Sequence, residues 1–241
     1  MSKWKDHVFV SSKYGNVKII NIRKYDDVDV VFENTGYMTR CSIDSLRRDR
    51  VKDRLASKVR GVGINLAERP CRVSGRLTKE YKVWENMLDR CYNANQSELF
   101  PSYAGCEVSP EFLNYTYFYD WCTTQEGFRK GYELDKDVLG NGKLYSPETC
   151  EFVPKLLNNS ISTFVTKKGY YWSNTHNKHV ACLVNEFGKR VSKKYISEHE
   201  AQTEVKSIKK RHLLNILNQH QSEISDRYYR TVLTKFKLLE V

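Results

Sequence analysis

A 241-residue chain with 40% hydrophobic residues has enough apolar material for a folded core. It contains no apolar run approaching the roughly 18 residues of a membrane span, and no secretory leader in MSKWKDHVFVSSKYGN, so a soluble, cytoplasmic protein is expected. Forty Lys and Arg against 29 Asp and Glu give a net charge of +11, and its distribution along the chain says more than the total.

The charge is segregated. Residues 1–79 carry 18 basic and 9 acidic groups, residues 80–161 carry 7 and 13, and residues 162–241 carry 15 and 7. Two basic arms flanking an acidic middle suit a chain that grips a polyanion with its ends and keeps carboxylates at the centre; an uneven surface without function is the plainer reading. Seven cysteines, an odd number without any C-x-x-C pair, point to small buried thiols and away from both disulfides and structural zinc.

In chain order, VKIINIRKY (17–25) and VDVVFENTGYMTRCSI (28–43) have the β-branched and aromatic enrichment of strands, with Asp26-Asp27 between them; a small antiparallel sheet is predicted. SLRRDRVKDRLASKVRG follows, with Arg47, Arg48, Arg50, Lys52, Arg54, Lys58 and Arg60 inside fourteen residues. That density suits phosphate contact, and the interleaved Asp residues equally allow a solvated face. The Gly61-Val62-Gly63 turn and the loop through Pro70 read as a linker.

Thr78 is placed to cap a helix in which Tyr81, Val83, Trp84, Met87, Leu88, Cys91 and Tyr92 recur at largely helical spacing. After a predicted loop with Pro101 and Gly105, Ser109 and Pro110 open a second helix whose Phe112, Tyr115, Phe118, Trp121 and Cys122 form a core stripe. The next segment reads as strand (YELDKDVL), turn (Gly140 to Gly142), strand (CEFVP) and a helix from about Lys155. On the first strand, Asp135 and Asp137 at spacing two would point to one side, where they either share a cation or face water.

KGYYWSNTHNKHVACLVNEFGKRVSKKYIS offers three short strands joined at Asn174 to Asn177 and at Glu186-Phe187-Gly188, followed by a helix with a Ser197/Glu200 capping box. The tail DRYYRTVLTKFKLLEV is expected to be a short helix or strand packing back.

Several pieces in the middle of the chain stand in a recognisable order: Trp84-x-x-Met87-x-x-Arg90-Cys91-Tyr92, Tyr103-Ala104-Gly105-Cys106, Phe118-x-x-Trp121, Leu134-Asp135-Lys136-Asp137, Gly140-Asn141 and Tyr145-Ser146-Pro147-Glu148-Thr149-Cys150. Together they resemble the HNH (His-Me finger) endonucleases of bacteriophages, many of them homing or free-standing nucleases. The resemblance implies a ββα-metal hairpin and helix that hydrolyse a phosphodiester with Mg²⁺ or a similar divalent cation. Asp135 then takes the metal-binding position, and Asn158 or Asn159 supplies the helix ligand. Lys136 stands where the base histidine belongs, and Thr149 where an orienting Asn often stands. A lysine acts as a base only with a depressed pKa, and Glu133, Asp135 and Asp137 push the other way. Asp137 is an alternative ligand or water-orienting carboxylate, leaving Lys136 to meet the scissile phosphate.

The third stretch is similar to the ethylene-response-factor (Apetala-type) DNA-binding domain through Gly169-Tyr170-Tyr171-Trp172, Asn177-Lys178, Ala181, Gly188-Lys189-Arg190 and Glu200-Ala201. That similarity implies a sheet entering the major groove of double-stranded DNA, with Trp172, Lys178, His179, Lys189, Arg190, Lys193 and Lys194 near it. The first stretch resembles a module at the front of similar phage proteins, carried by Phe32-Glu33-Asn34-Thr35-Gly36-Tyr37 and Val51-Lys52-Asp53, and reads as a second DNA-contacting arm with Arg47, Arg48, Arg50 and Lys52.

The expectation is therefore an α+β protein with a basic β-rich module (1–66), an HNH-like ββα-metal domain (78–162) and a three-stranded antiparallel sheet plus helix (166–241). Its expected function is sequence-directed DNA cleavage of phage homing type, in the host cytoplasm. The alternative is a catalytically degenerate, sequence-specific DNA-binding regulator on the same fold. On charge alone an RNA partner stays open.

Overall fold

The computed structural model describes residues 4–56 and 58–239, and the chain divides into two compact units, 1–120 and 121–241. The architecture is mixed α+β with small antiparallel sheets. Among the described residues, no helix is long and apolar enough to cross a membrane.

The first unit opens with a four-stranded meander: β1 (Val8–Ser11), β2 (Gly15–Lys24), β3 (Asp27–Phe32) and β4 (Met38–Cys41), paired in that order. Alternation along β2 and β3 turns Val17, Ile19, Val28, Val30 and Phe32 into one apolar face, closed by Ile43 and Leu46 of the short helix α1 (Ile43–Arg47). The alternation in β2 breaks where Ile19 faces Val30 but Asn21 faces Asp29; Ile20 is the extra residue of a bulge and lies exposed. The predicted sheet is present, with β1 added and the longer predicted stretch divided at Glu33 to Tyr37.

Two small hairpins follow, β5 (Lys58–Val59) with β6 (Gly63–Ile64), and β7 (Arg72–Val73) with β8 (Arg76–Leu77). Thr78 caps α2 (Lys79–Tyr92) by accepting the Tyr81 amide at 3.2 Å, as its sequence predicts, and Trp84, Met87 and Leu88 are buried on one face. Gly63 is fixed by close approach to this helix: a Cβ there would stand 2.4 Å from Leu88 Cδ1 and 2.9 Å from the Trp84 ring. The predicted loop around Pro101 contains α3 (Ala94–Leu99) and a single 3₁₀ turn, Pro101–Tyr103, and leads through β9 (Glu107–Val108) to the Ser109 cap.

The helix predicted from Pro110 is two helices, α4 (Pro110–Leu113) and α5 (Tyr115–Thr124). Asn114 leaves helical geometry at ψ 116°, and its side-chain oxygen accepts the Thr116 amide at 2.9 Å, so the same residue ends one helix and caps the next. Trp84 Nε1 donates to the Phe112 carbonyl at 2.7 Å, fixing α2 against α4.

In the second unit, α6 (Glu126–Arg129) precedes β10 (Glu133–Asp135), β11 (Leu144–Tyr145), β12 (Glu151–Val153) and α7 (Lys155–Thr166). β10 and β12 are antiparallel, pairing Glu133 with Val153 and Asp135 with Glu151. The predicted strand YELDKDVL ends at Asp135, because the Asp135 carboxylate takes the backbone N–H groups of Asp137 and Val138 and bends the chain away. β13 (Tyr170–Ser173), β14 (Lys178–Val184) and β15 (Arg190–Tyr195) then form the predicted sheet, followed by α8 (Glu198–Gln219) with both halves of its Ser197/Glu200 capping box made.

The tail forms α9 (Asp226–Lys235), which packs back as expected. Val138, Val153, Leu157 and Ile161 share one buried cluster with Leu213, Leu217, Tyr228 and Val232. The hairpin and α7 thus have a common core with the end of α8 and with α9.

Candidate nucleic-acid interface and hairpin site

At the hairpin, Asp135 is 3% exposed and its two oxygens accept three hydrogen bonds. Asp137 N–H donates at 3.3 Å, Val138 N–H at 3.2 Å and the buried Tyr228 hydroxyl at 3.0 Å. Burial, and secondarily the nearby Asp137 charge, push the Asp135 carboxyl above the ordinary carboxylate range although all three donors pull it down. The same burial, with Asp135 beside it, raises the Tyr228 hydroxyl.

Lys136, only 4% exposed, turns inward rather than toward solvent. Its ammonium reaches Asp137 Oδ1 at 2.5 Å and the Gly142 carbonyl at 2.7 Å, and lies 5.5 Å from the centre of the Tyr145 ring. Gly142 makes this possible with φ 75°, and a Cβ there would meet Asp137 Oδ1 at 3.0 Å. Asp137 itself keeps a side chain 60% exposed. Asp135 and Asp137 therefore do not share a side, contrary to the spacing argument, because Asp137 lies past the end of the strand.

Asn158 lies near the strand but serves a different carboxylate: its amide nitrogen donates to Glu133 Oε2 at 3.0 Å, and Lys155 approaches the other Glu133 oxygen at 3.7 Å. Asn159 is exposed on the next position of α7. Thr149 accepts the Ser146 amide at 3.1 Å and donates to the Leu144 carbonyl at 2.7 Å, fixing the Ser146-Pro147-Glu148 turn. The Asp135 oxygens already accept three internal donors, and Asn158 spends its amide nitrogen on Glu133, which leaves its Oδ1 as the atom a hard cation would take. Among the described residues no group of three His, Cys, Asp or Glu is placed to hold a metal.

Three partners at this site were invisible to sequence spacing. Tyr228 comes from 93 positions away. Lys235 donates to the carbonyls of Asp137, Val138 and Gly140 at 2.6, 3.2 and 2.9 Å, so α9 clasps the loop after β10. Glu133, at the start of the strand, holds the helix asparagine. The only one-dimensional signal was the amphipathic Tyr228/Val232 spacing with Lys235 at its basic end.

In the three-stranded sheet, register sorts the predicted DNA residues by face. Trp172 is opposite His179 and their rings meet edge-on at 4.8 Å; Lys193 is opposite Ala181 on the same parity. This parity is tied to α8, through Tyr170 hydroxyl to Glu198 at 2.9 Å and Lys193 to Glu204 at 3.0 Å. The other parity carries Tyr171, Lys178, Arg190 and Lys194, all exposed, around the buried Val180. Arg190 Nε lies 3.3 Å from Cys182 Sγ on that face, and Lys189 is exposed in the preceding turn.

In the first unit Arg47, Arg48, Arg50 and Lys52 are exposed at the end of α1 and just beyond it. The interleaved carboxylates are occupied within the module. Asp44 pairs with Arg48 at 3.1 Å, Asp49 accepts the Ser12 amide and hydroxyl at 3.0 and 2.6 Å, and buried Asp53 accepts Thr35 Oγ1 at 2.6 Å. Comparison with known proteins finds no matching family model, no matching curated protein and no matching solved structure.

Proposed function

We propose that this chain binds double-stranded DNA through the face of the β13–β15 sheet that bears Tyr171, Lys178, Arg190 and Lys194. The observation that carries the reading is their shared parity: a regular register gathers three exposed cations and an aromatic on the face opposite the one bonded to α8. Lysine and arginine there neutralise phosphates, and β-sheet readers of DNA lay their strands in the major or the minor groove. Arg47, Arg50 and Lys52 make a second basic surface for the backbone.

The antiparallel pair Glu133–Asp135 and Glu151–Val153, followed by the helix Lys155–Thr166, supports reading this segment as a hairpin and helix of the HNH kind. With Asp135 holding three internal donors and Lys136 paired inward, we read this hairpin as a scaffold and the protein as a site-directed DNA-binding protein that regulates without cutting.

A second reading, DNA cleavage of the phage homing type, is favoured by one juxtaposition. Glu133 and Asn158 place a carboxylate and a carboxamide together where the strand meets the helix, oxygen donors of the kind Mg²⁺ takes.

The test uses the full chain and end-labelled mixed-sequence duplex DNA, with binding followed by anisotropy in EDTA and strand integrity followed in Mg²⁺. Salt-sensitive binding with intact strands is the expected result. Nicks at bound sites would establish the second reading, and preferential displacement by RNA of equal length would overturn both.

A further inference from the structure

The connection between β14 and β15 is held unusually firmly for a turn that exposes an aromatic ring. Asn185 Oδ1 accepts the Phe187 and Lys189 amides at 3.1 and 3.0 Å, and the Asn185 and Gly188 amides close the turn at 2.9 and 3.0 Å. α8 fastens it from below. His212 Nδ1 lies 2.9 Å from the Asn185 carbonyl, Asn215 donates to the Glu186 carbonyl at 2.8 Å, and Arg211 meets the Glu186 carboxylate at 3.2 Å.

On this mount Phe187 is 77% exposed. A single exposed apolar residue is ordinary on a surface, and this one stands on a turn braced both by its own asparagine and by a helix. Here Asn185 and the side chains of α8 fix the backbone, and the ring still projects. The cations outnumber the acid around it: Lys189 and Arg190 follow Gly188, and Lys167 lines the groove beside it with Leu156, Val184 and Ile216. The one acid of the turn, Glu186, is met by Arg211. Arg190 is opposite Val184, at the end of the sheet nearest the turn that carries Phe187.

We infer that Phe187 is a wedge that enters the base stack of the duplex held by the sheet, unstacking one step and bending the DNA. An apolar side chain inserted at a base step loses its water-exposed area and opens a kink of about 20–90°, and flanking cations hold the phosphates on either side. A rigid mount suits this role because no turn entropy is lost on insertion. The inference rests on the DNA-binding reading above.

The experiment measures anisotropy and end-to-end energy transfer on one doubly labelled mixed-sequence duplex, with the wild-type chain, Phe187→Ala and Phe187→Leu. Wild type should bind and raise energy transfer. Phe187→Ala should bind roughly tenfold more weakly, the scale of one base–aromatic stacking interaction, with an unchanged salt slope and no rise in transfer. Phe187→Leu, still an apolar wedge, should recover part of the rise. A full rise with Phe187→Ala overturns the wedge while leaving DNA binding intact; no wild-type binding overturns both. Sedimentation of the free chains completes the test: a wild-type dimer that Phe187→Ala turns into a monomer would assign the ring to self-association instead.

Discussion

Asp135→Ala is the substitution that separates a fold anchor from a catalytic ligand. It leaves the Val138 amide and the Tyr228 hydroxyl, both inside the protein, without an acceptor, and the Asp137 amide beside water. Each buried orphan costs about 1–3 kcal/mol, and release of a buried carboxylate returns part of that, so a loss of about 2–4 kcal/mol is expected. Tyr228→Phe removes one donor and leaves Val138 on the same oxygen, for about 1–1.5 kcal/mol. The double variant should cost less than the sum by about 1 kcal/mol, because the second change removes a group already orphaned. Amide hydrogen exchange in EDTA, read at Val153 and Leu157, reports the local opening free energy of this core. The anchor role is refuted if Asp135→Asn protects these amides better than wild type in EDTA while abolishing nicking in Mg²⁺. That pair of results belongs to a carboxylate kept, at a cost to the fold, for a cation.

Arg190→Ala with Lys194→Ala should weaken duplex binding and reduce the slope of log K against log salt by about 0.9 for each phosphate no longer neutralised. Ser197→Ala should cost about 0.5–2 kcal/mol by opening the capping box, visible as weaker exchange protection in the first turn of α8. In the meander, Arg23 bonds Asp29 at 2.6 Å and Arg40 pairs with Asp27, which holds both carboxyls below their ordinary range. A depressed folded pKa contributes stability that is present above the unfolded value and lost as pH falls through the folded one. Amide signals of β2 and β3 should therefore weaken progressively below about pH 4, and Arg23→Gln should flatten that dependence. Lys235→Ala should speed exchange in residues 137–140 and leave β13–β15 unchanged.

What could be read from the residues was local. Thr78, the Ser109-Pro110 pair and Ser197 with Glu200 each satisfy amides within three positions, so cap and helix are visible together in one window of sequence. The three strands from Tyr170 to Tyr195 alternate and carry their own turns. What escaped depended on a partner outside the window. The bulge at Ile20 is set by its neighbour strand, and the second cap at Asn114 is hidden because Asn inside an aromatic helical stripe looks like one unfavourable residue rather than a boundary. Strand periodicity puts Asp135 and Asp137 on one side, and it fails once a carboxylate takes its own following amides. No spacing rule connects Asp135 to Tyr228 or the loop carbonyls to Lys235.

The shared core of the hairpin, α7 and α9 also fixes when the hairpin can mature. Leu157 and Tyr228 are separated by roughly seventy residues, which take several seconds to make at about 5–20 residues per second. Until α9 is synthesised, the cluster of Val138, Val153 and Leu157 lacks the part of its apolar cover given by Tyr228 and Val232, the loop carbonyls lack Lys235, and Asp135 lacks its phenol. The hairpin is thus a late product of translation, dependent on a helix made last among those that touch it. A chain cut after Thr166 would lose more than a basic arm: it would strand the hairpin in its nascent form.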